Sequence, residues 1–136
     1  MRNKYLEDLG LKYEQYGLNY PFYDTGGTKY WAEQRELYGF DERETWGMDE
    51  TFLEWLYSHC MMYKELASKV IDLNVHTITR EGITYTQAEV LDYIIKWTGE
   101  YLLVTRNGDW QKQNEASKYV QTACHLWAEM LFAMWW

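Results

Sequence analysis

The chain has 136 residues, enough for one domain whose apolar core needs no disulfide or metal to fold. A hydrophobic content of 47% excludes intrinsic disorder, and a formal net charge of -8 excludes binding that depends on neutralising nucleic-acid phosphates or anionic lipids. We therefore predict a single domain over residues 1–136 that binds neither nucleic acid nor membranes directly.

Aromatic residues are the most unusual feature of the composition. Eight Trp and thirteen Tyr exceed what a core of this size requires. Some of these rings are expected at the surface, where flat amphipathic side chains add contact area at low entropic cost. The alternative is a loosely patterned core in which the polar ends of the rings reach water.

The sequence of the N-terminal third predicts short helices and a loop. Residues 3–9 are expected to form a helix that Gly10 ends, and residues 11–27 an aromatic-rich loop, because they combine five rings with three glycines and the only proline. Thr28 is expected to cap a helix that Gly39 ends. The side chains expected to be buried on that helix, in some combination, are those of Tyr30, Trp31, Gln34 and Tyr38.

An acidic run leads into the longest predicted helix. Its carboxylates, which face a single basic residue, Arg43, are those of Asp41, Glu42, Glu44, Asp49, Glu50 and Glu54. Asp41 and Glu44 have capping-box spacing, and Asp49 is a plausible N-cap of the long helix. Because carboxylates are favoured near helix N-termini, capping explains part of this run. The rest is either a solvated face or a binding surface.

The long helix carries two neighbouring apolar stripes, which predicts the central member of a helical bundle. The first stripe consists of Phe52, Leu56, His59, Tyr63, Leu66, Val70 and Leu73. The second consists of Leu53, Tyr57, Cys60, Ala67 and Ile71.

Residues 75–85 change to alternating spacing, which predicts a two-stranded hairpin with its turn at residues 80–82. Since a lone hairpin is marginally stable, it is expected to lean on the helices.

Two further long helices are predicted after the hairpin. Thr86 and Glu89 form a capping box that starts a helix running to about Val104. Residues 107–108 provide a left-handed stop, and Asp109 caps a final helix that packs antiparallel to the previous one. The predicted fold is mainly α: a bundle of three long helices with short N-terminal helices, an aromatic-rich loop and one small β-hairpin.

No catalytic, metal or cofactor site is predicted. The pairs His59–Cys60 and Cys124–His125 have the residue types for zinc, but adjacent helical residues point about 100° apart and cannot easily chelate one ion. No phosphate-binding loop, dinucleotide fingerprint, nucleophile elbow or kinase signature occurs. We therefore predict that the chain is not an enzyme and takes no cofactor.

The cysteine count and the termini indicate a reducing cytoplasm. Two cysteines do not make a disulfide framework, and the first residues lack the apolar core of a signal peptide. The apolar segment from Leu126 to Trp136 is about half the length of a membrane span, so it is expected to be buried or to form a homo-oligomer interface.

Residues 39–73 resemble a group of small uncharacterised proteins encoded by phages and prophages of gut bacteria. The shared pattern is a Gly-Phe, acids, Glu-Thr-Trp, an Asp, an aromatic WLY helix and YKE. It is carried here by Gly39, Phe40, Glu44, Thr45, Trp46, Asp49, Trp55, Leu56, Tyr57, Tyr63, Lys64 and Glu65. The hairpin and the helix start at residues 86–89 fit the same group. The resemblance brings no catalytic residue with it.

The resemblance implies a phage accessory protein in the host bacterial cytoplasm. We expect it to bind and inhibit a host defence complex, such as a CRISPR effector or another nucleic-acid-binding nuclease, through an acidic, aromatic surface. The residues expected to bind the partner are Asp41, Glu42, Glu44, Trp46, Asp49, Glu50 and Glu54.

Two alternatives stay open. The first is a sponge for a small nucleotide immune signal, in which rings clamp the base and a lysine meets the phosphate. Its ligand-binding residues would be Tyr23, Lys29, Tyr30 and Trp31. The second is a structural or assembly role in the phage, with a stable homo-oligomer as its sign.

Overall fold

A computed structural model describes residues 2–19 and 27–135. The chain divides into two compact units, Met1–Trp55 and Leu56–Trp136, and the boundary falls inside the continuous helix Met48–Ala67. The single domain expected over residues 1–136 remains a prediction.

Unit 1 contains short helices. They are α1 (Lys4–Leu9), two 3-10 turns (Tyr13–Gln15 and Gly17–Asn19), α2 (Thr28–Tyr38), α3 (Arg43–Trp46) and the first turns of α4 (Met48–Ala67). The expected α1 is confirmed: the Asn3 side chain accepts a hydrogen bond from the Leu6 amide, and Gly10 ends the helix with a φ of 116°.

Tyr16 connects the 3-10 turns to the start of α1. Its hydroxyl donates to Glu7 Oε1 at 2.8 Å and accepts from the Asn3 amide at 3.1 Å, while the ring is 1% exposed. Part of the predicted aromatic-rich loop is therefore packed into unit 1. Its residues 20–26 lie outside the described residues.

Helix α2 spans the predicted residues, but the expected cap is wrong and the expected burial is confirmed only in part. Gly27 holds the N-cap position without a side-chain cap, and Thr28 is the first helical residue rather than the cap. Trp31 is the buried side chain, whereas Tyr30 and Tyr38 are 55% and 68% exposed. The helix therefore packs through a narrow strip, which leaves its other rings in solvent.

Helix α4 buries the second of its two predicted stripes. Leu53, Tyr57, Cys60 and Ala67 are buried together with Leu56. The first stripe is confirmed only in part: Leu56 and Leu73 are buried and Tyr63 packs against the core, whereas Phe52, His59 and Val70 are exposed. Val70 lies beyond the helix end at Ala67, and Phe52 and His59 lie on the flank away from the buried side chains.

Unit 2 contains the predicted hairpin. Strands β1 (Thr77–Arg80) and β2 (Ile83–Thr86) pair antiparallel, with Arg80 opposite Ile83. Glu81 and Gly82 form the turn with φ of 51° and 78°, the positive values that a two-residue type I′ turn requires.

Helices α5 (Gln87–Arg106) and α6 (Trp110–Met130) follow the hairpin and pack against each other. Gly108 has a φ of 71° in the short connection, and Asp109 accepts from the Lys112 amide as the predicted cap. A 3-10 turn (Leu131–Ala133) follows α6.

The core of unit 2 brings α4, α5 and α6 together, which confirms a mainly α fold with three long helices and one small hairpin. Its buried residues are Leu56, Cys60, Ala67, Leu73, Val90, Leu91, Ile94, Ala123, Leu126 and Met130.

The predicted capping box at α5 is present. Thr86 Oγ1 accepts from the Glu89 amide at 3.2 Å, and Glu89 Oε1 accepts from the Thr86 amide at 3.1 Å. We expect Thr86→Ala to lower the free energy of unfolding by about 1 kcal/mol, because the Glu89 amide loses its acceptor. Urea unfolding followed by circular dichroism measures this. Thr86→Ser keeps the hydroxyl and serves as the control; an equal loss in both variants would contradict the capping role.

Glu81 occupies a left-handed conformation that costs an ordinary side chain about 1–2 kcal/mol. Asn is the residue that type I′ turns favour before Gly, so we expect Glu81→Asn to raise the free energy of unfolding by about 0.5–1 kcal/mol. Glu81→Gln removes the same charge without relieving the strain. If both variants gain equally in urea unfolding, the charge rather than the backbone is responsible.

Candidate partner-binding surface

Asp41, the first of the predicted partner-binding residues, is buried between two arginines. Its carboxylate accepts from Arg35 Nε at 2.5 Å and from Arg43 Nε and Nη2 at 2.9 and 2.8 Å, and its side chain is 0% exposed. The hydrogen bonds from Arg43 are the main cause that lowers its pKa from 3.8 to about 2; burial opposes this and Arg35 adds to it. Asp41 thus ties α2 to α3 and does not face a partner.

Trp31 lies against Arg43, one of the two arginines that bind Asp41. The Arg43 guanidinium carbon is 4.0 Å from the centre of the Trp31 ring, and the Trp46 ring meets it edge-on at 6.2 Å. Trp31 Nε1 donates to Glu42 Oε1 at 3.2 Å. With 5% of the residue exposed, one face and one edge of this indole are already occupied within unit 1.

Three further predicted acids make internal contacts. Glu42 accepts the Trp31 indole, Glu44 Oε2 accepts from the Asp41 amide at 3.3 Å, and Glu54 Oε2 accepts from the Gly17 amide at 2.9 Å. Glu54 is 9% exposed, so it is not a surface residue. The capping-box spacing of Asp41 and Glu44 had signalled part of this, whereas the long-range contact of Glu54 left no local signal.

The other predicted partner-binding residues lie at the end of α3 and in the first turn of α4. Trp46 is 48% exposed and Asp49 is exposed, while Glu50 is half-buried. The structure therefore divides six of the seven residues into a structural group and a surface group, with Glu50 between them in exposure. Asp41, Glu42, Glu44 and Glu54 hold unit 1 together, and Trp46 and Asp49 face solvent.

A row of large apolar side chains lies beside this surface group. Met48, Phe52 and Trp55 follow each other at steps of four and three along α4 and are 67%, 38% and 47% exposed. The rings of Phe52 and Trp55 stack, with centres 6.4 Å apart and planes 15° from parallel. We call Trp46, Met48, Asp49, Phe52 and Trp55 the α3–α4 surface. The helical spacing of Phe52 is evident in the sequence, but the sequence predicted that its side chain lies in the core.

Most of the net charge belongs to unit 1. Residues 1–55 hold six Lys and Arg against twelve Asp and Glu, and residues 56–136 hold seven against nine. Of the net -8, -6 therefore lies in unit 1, which also carries the α3–α4 surface. Such a charge steers cationic partners and repels anionic ones.

The predicted nucleotide clamp is not assembled in the described part of the chain. Lys29 and Tyr30 are exposed at the start of α2, but Trp31 is buried. Tyr23, the fourth residue of the clamp, lies outside the described residues. A base would have to displace Arg43 from the face of Trp31 that it covers.

Neither thiol has the character of a nucleophile. Burial raises the pKa of Cys60 to about 12 and also raises the pKa of Cys124, so both remain protonated at neutral pH. Residues 2–19 and 27–135 contain no group of three His, Cys, Asp or Glu side chains arranged for a metal ion. Among the helices described, none is long and apolar enough to cross a membrane.

One open groove of about 500 Å³ lies in unit 2, where α4 ends. It is lined by Lys64, residues 68–74 and Ala88. The Lys64 ammonium is hydrogen-bonded to Asp92, so part of the positive charge on its rim is neutralised. The groove offers no convergent set of catalytic groups.

The low pKa of Asp41 predicts how stability depends on pH. Because its folded-state pKa of about 2 lies below the usual value of 3.8, its stabilisation is complete above about pH 5 and is lost as the pH falls towards about 2. We expect Asp41→Asn to lower the free energy of unfolding at pH 7 by about 2 kcal/mol and to reduce the acid dependence. Tryptophan fluorescence during urea unfolding at several pH values measures both.

Glu33→Gln is the control, since Glu33 is an exposed carboxylate of the same unit that lies in the middle of α2, away from both helix ends. It should leave stability near the wild-type value. An Asp41→Asn variant that keeps full stability and the wild-type acid dependence would contradict the assigned role of the ion cluster.

Comparison of the chain with models of protein families, with curated proteins and with solved structures finds no match. The α3–α4 surface is therefore interpreted from its own chemistry.

Proposed function

We propose that this chain is a non-enzymatic phage accessory protein that acts in the host bacterial cytoplasm. It binds and inhibits a host defence complex, such as a CRISPR effector, through the α3–α4 surface. The observation that carries the proposal is the exposed row of Met48, Phe52 and Trp55 in a unit with a net charge of -6.

Exposed rings in this arrangement favour protein binding. Contiguous apolar side chains in water cost free energy that burial against a partner recovers, and aromatic residues and Met are enriched in interface cores. Because Phe52 already stacks on Trp55, part of the ordering cost is met before the partner arrives. The pair thus has the properties of an interface anchor.

The charge of unit 1 favours a basic partner. Proteins that hold DNA or RNA present Lys and Arg to the phosphates, and an acidic protein competes for the same side chains. Asp49 supplies an exposed carboxylate within the α3–α4 surface itself. The resemblance of residues 39–73 to phage proteins supports a defence nuclease as the target.

The nucleotide sponge has less support, because Trp31 lies under Arg43 and Tyr30 is the exposed ring of the clamp within the described residues. The assembly role has no observation in its favour beyond the apolar C-terminal segment.

The test uses purified nucleic-acid-guided nucleases of gut bacteria in a cleavage assay with this protein as inhibitor. Wild-type protein should inhibit cleavage and bind the nuclease, and rising salt should weaken binding because the partner surface is basic. A Phe52→Ser/Trp55→Ser variant should bind at least about tenfold more weakly, since the apolar anchor is lost.

Leu37→Ser is the matched control, because Leu37 is a 75% exposed apolar residue on α2 in the same unit. It should inhibit like the wild type. If no nuclease in the set is bound or inhibited, or if the Phe52 and Trp55 variant inhibits as well as the wild type, the proposed function is rejected.

A further inference from the structure

The last residues of the chain are fastened to unit 2. Gln87, which is 0% exposed, donates from Nε2 to the carbonyl of Ala133 at 3.3 Å, and the Tyr63 hydroxyl donates to the carbonyl of Trp135 at 3.4 Å. Gln87 Nε2 also donates to the Tyr63 hydroxyl at 2.9 Å. The segment 131–135 is therefore held by a small hydrogen-bond network.

Some side chains of this segment pack against the core and others face the solvent. Ala133 and Met134 pack against the core of unit 2. Phe132 is 89% exposed, and Trp135 is 72% exposed. The hydrogen bonds to the backbone of this segment thus hold Phe132 and Trp135 in exposed positions.

The surroundings of these rings carry little uncompensated charge. Glu129, one helical turn before Phe132 and Ala133, pairs with Arg80 of the hairpin at 3.3 Å. Unit 2 as a whole has seven basic and nine acidic residues. In contrast to the negative charge of unit 1, the charge near this segment therefore gives little electrostatic attraction for a basic partner.

We infer that residues 131–135 form the centre of a homodimer interface, in which Phe132 and Trp135 of one copy pack against the same residues of a second copy. In an interface with twofold symmetry the same patch faces itself, so each charge near the axis meets a like charge. A neutral aromatic patch avoids this repulsion, whereas the α3–α4 surface with its acidic unit does not. The fixed backbone reduces the ordering cost of association.

This interface does not depend on the proposed function. The dimer uses neither the α3–α4 surface nor the acids of unit 1, and it would exist in the absence of any host protein.

The experiment measures mass by light scattering coupled to size exclusion, with sedimentation velocity from micromolar to hundreds of micromolar protein. The wild type should have twice the chain mass of 16.5 kDa. A Phe132→Glu/Trp135→Glu variant should be monomeric, because each copy would place carboxylates against carboxylates. Met48→Glu, at a 67% exposed apolar residue of unit 1, should remain dimeric.

Phe132→Ser provides a second test that adds no charge, and the dimer dissociation constant should rise at least about tenfold. A wild type that is monomeric throughout, or a dimer that persists in the double variant or is lost in Met48→Glu, overturns the inference. So does a ladder of larger species, since a self-complementary patch closes at two copies.

Discussion

The buried carboxylate of Asp41 is the constraint on which unit 1 depends. A charge removed from water must be paired and hydrogen-bonded, and here Arg35 from α2 and Arg43 from α3 both bind it. Arg43 is thereby fixed over Trp31, which in turn donates to Glu42. One buried ion cluster thus fixes the positions of the indole and of the neighbouring acids Glu42 and Glu44.

The acidic run contains two kinds of carboxylate: those that make internal contacts and those that face the solvent. The carboxylates that hold α2, α3 and the 3-10 turns in place are unavailable to a partner, although they still contribute to the negative field of unit 1. What faces the solvent is a row of rings and one Met, with Asp49 beside it. A surface of this kind combines long-range steering by charge with short-range affinity from apolar contact.

The many aromatic residues have different structural roles. Tyr16 and Trp31 are buried and satisfy their polar atoms within unit 1. In unit 2, Trp97 and Tyr119 stack at 4.0 Å between α5 and α6. Other rings face solvent in places with different charge: Phe52 and Trp55 in the acidic unit, and the C-terminal rings in the nearly neutral one. The two groups of exposed rings therefore lie in different electrostatic surroundings.

The sequence by itself determined the elements whose signals are local. The capping box at Thr86, the hairpin turn before Ile83 and the glycine stops all depend on residues within a few positions of one another, and the structure has them where they were predicted. The three long helices follow from apolar spacing, which is also a local property.

Only the tertiary structure decided which side of each helix is buried. The two stripes of α4 are both apolar and lie side by side, so spacing alone does not tell which of their side chains meet the core; Leu53 and Leu56 do, and Phe52 does not. Likewise, Glu54 is buried because Gly17, far away in sequence, donates to it. Burial depends on contacts between distant residues, and a local pattern carries no information about them.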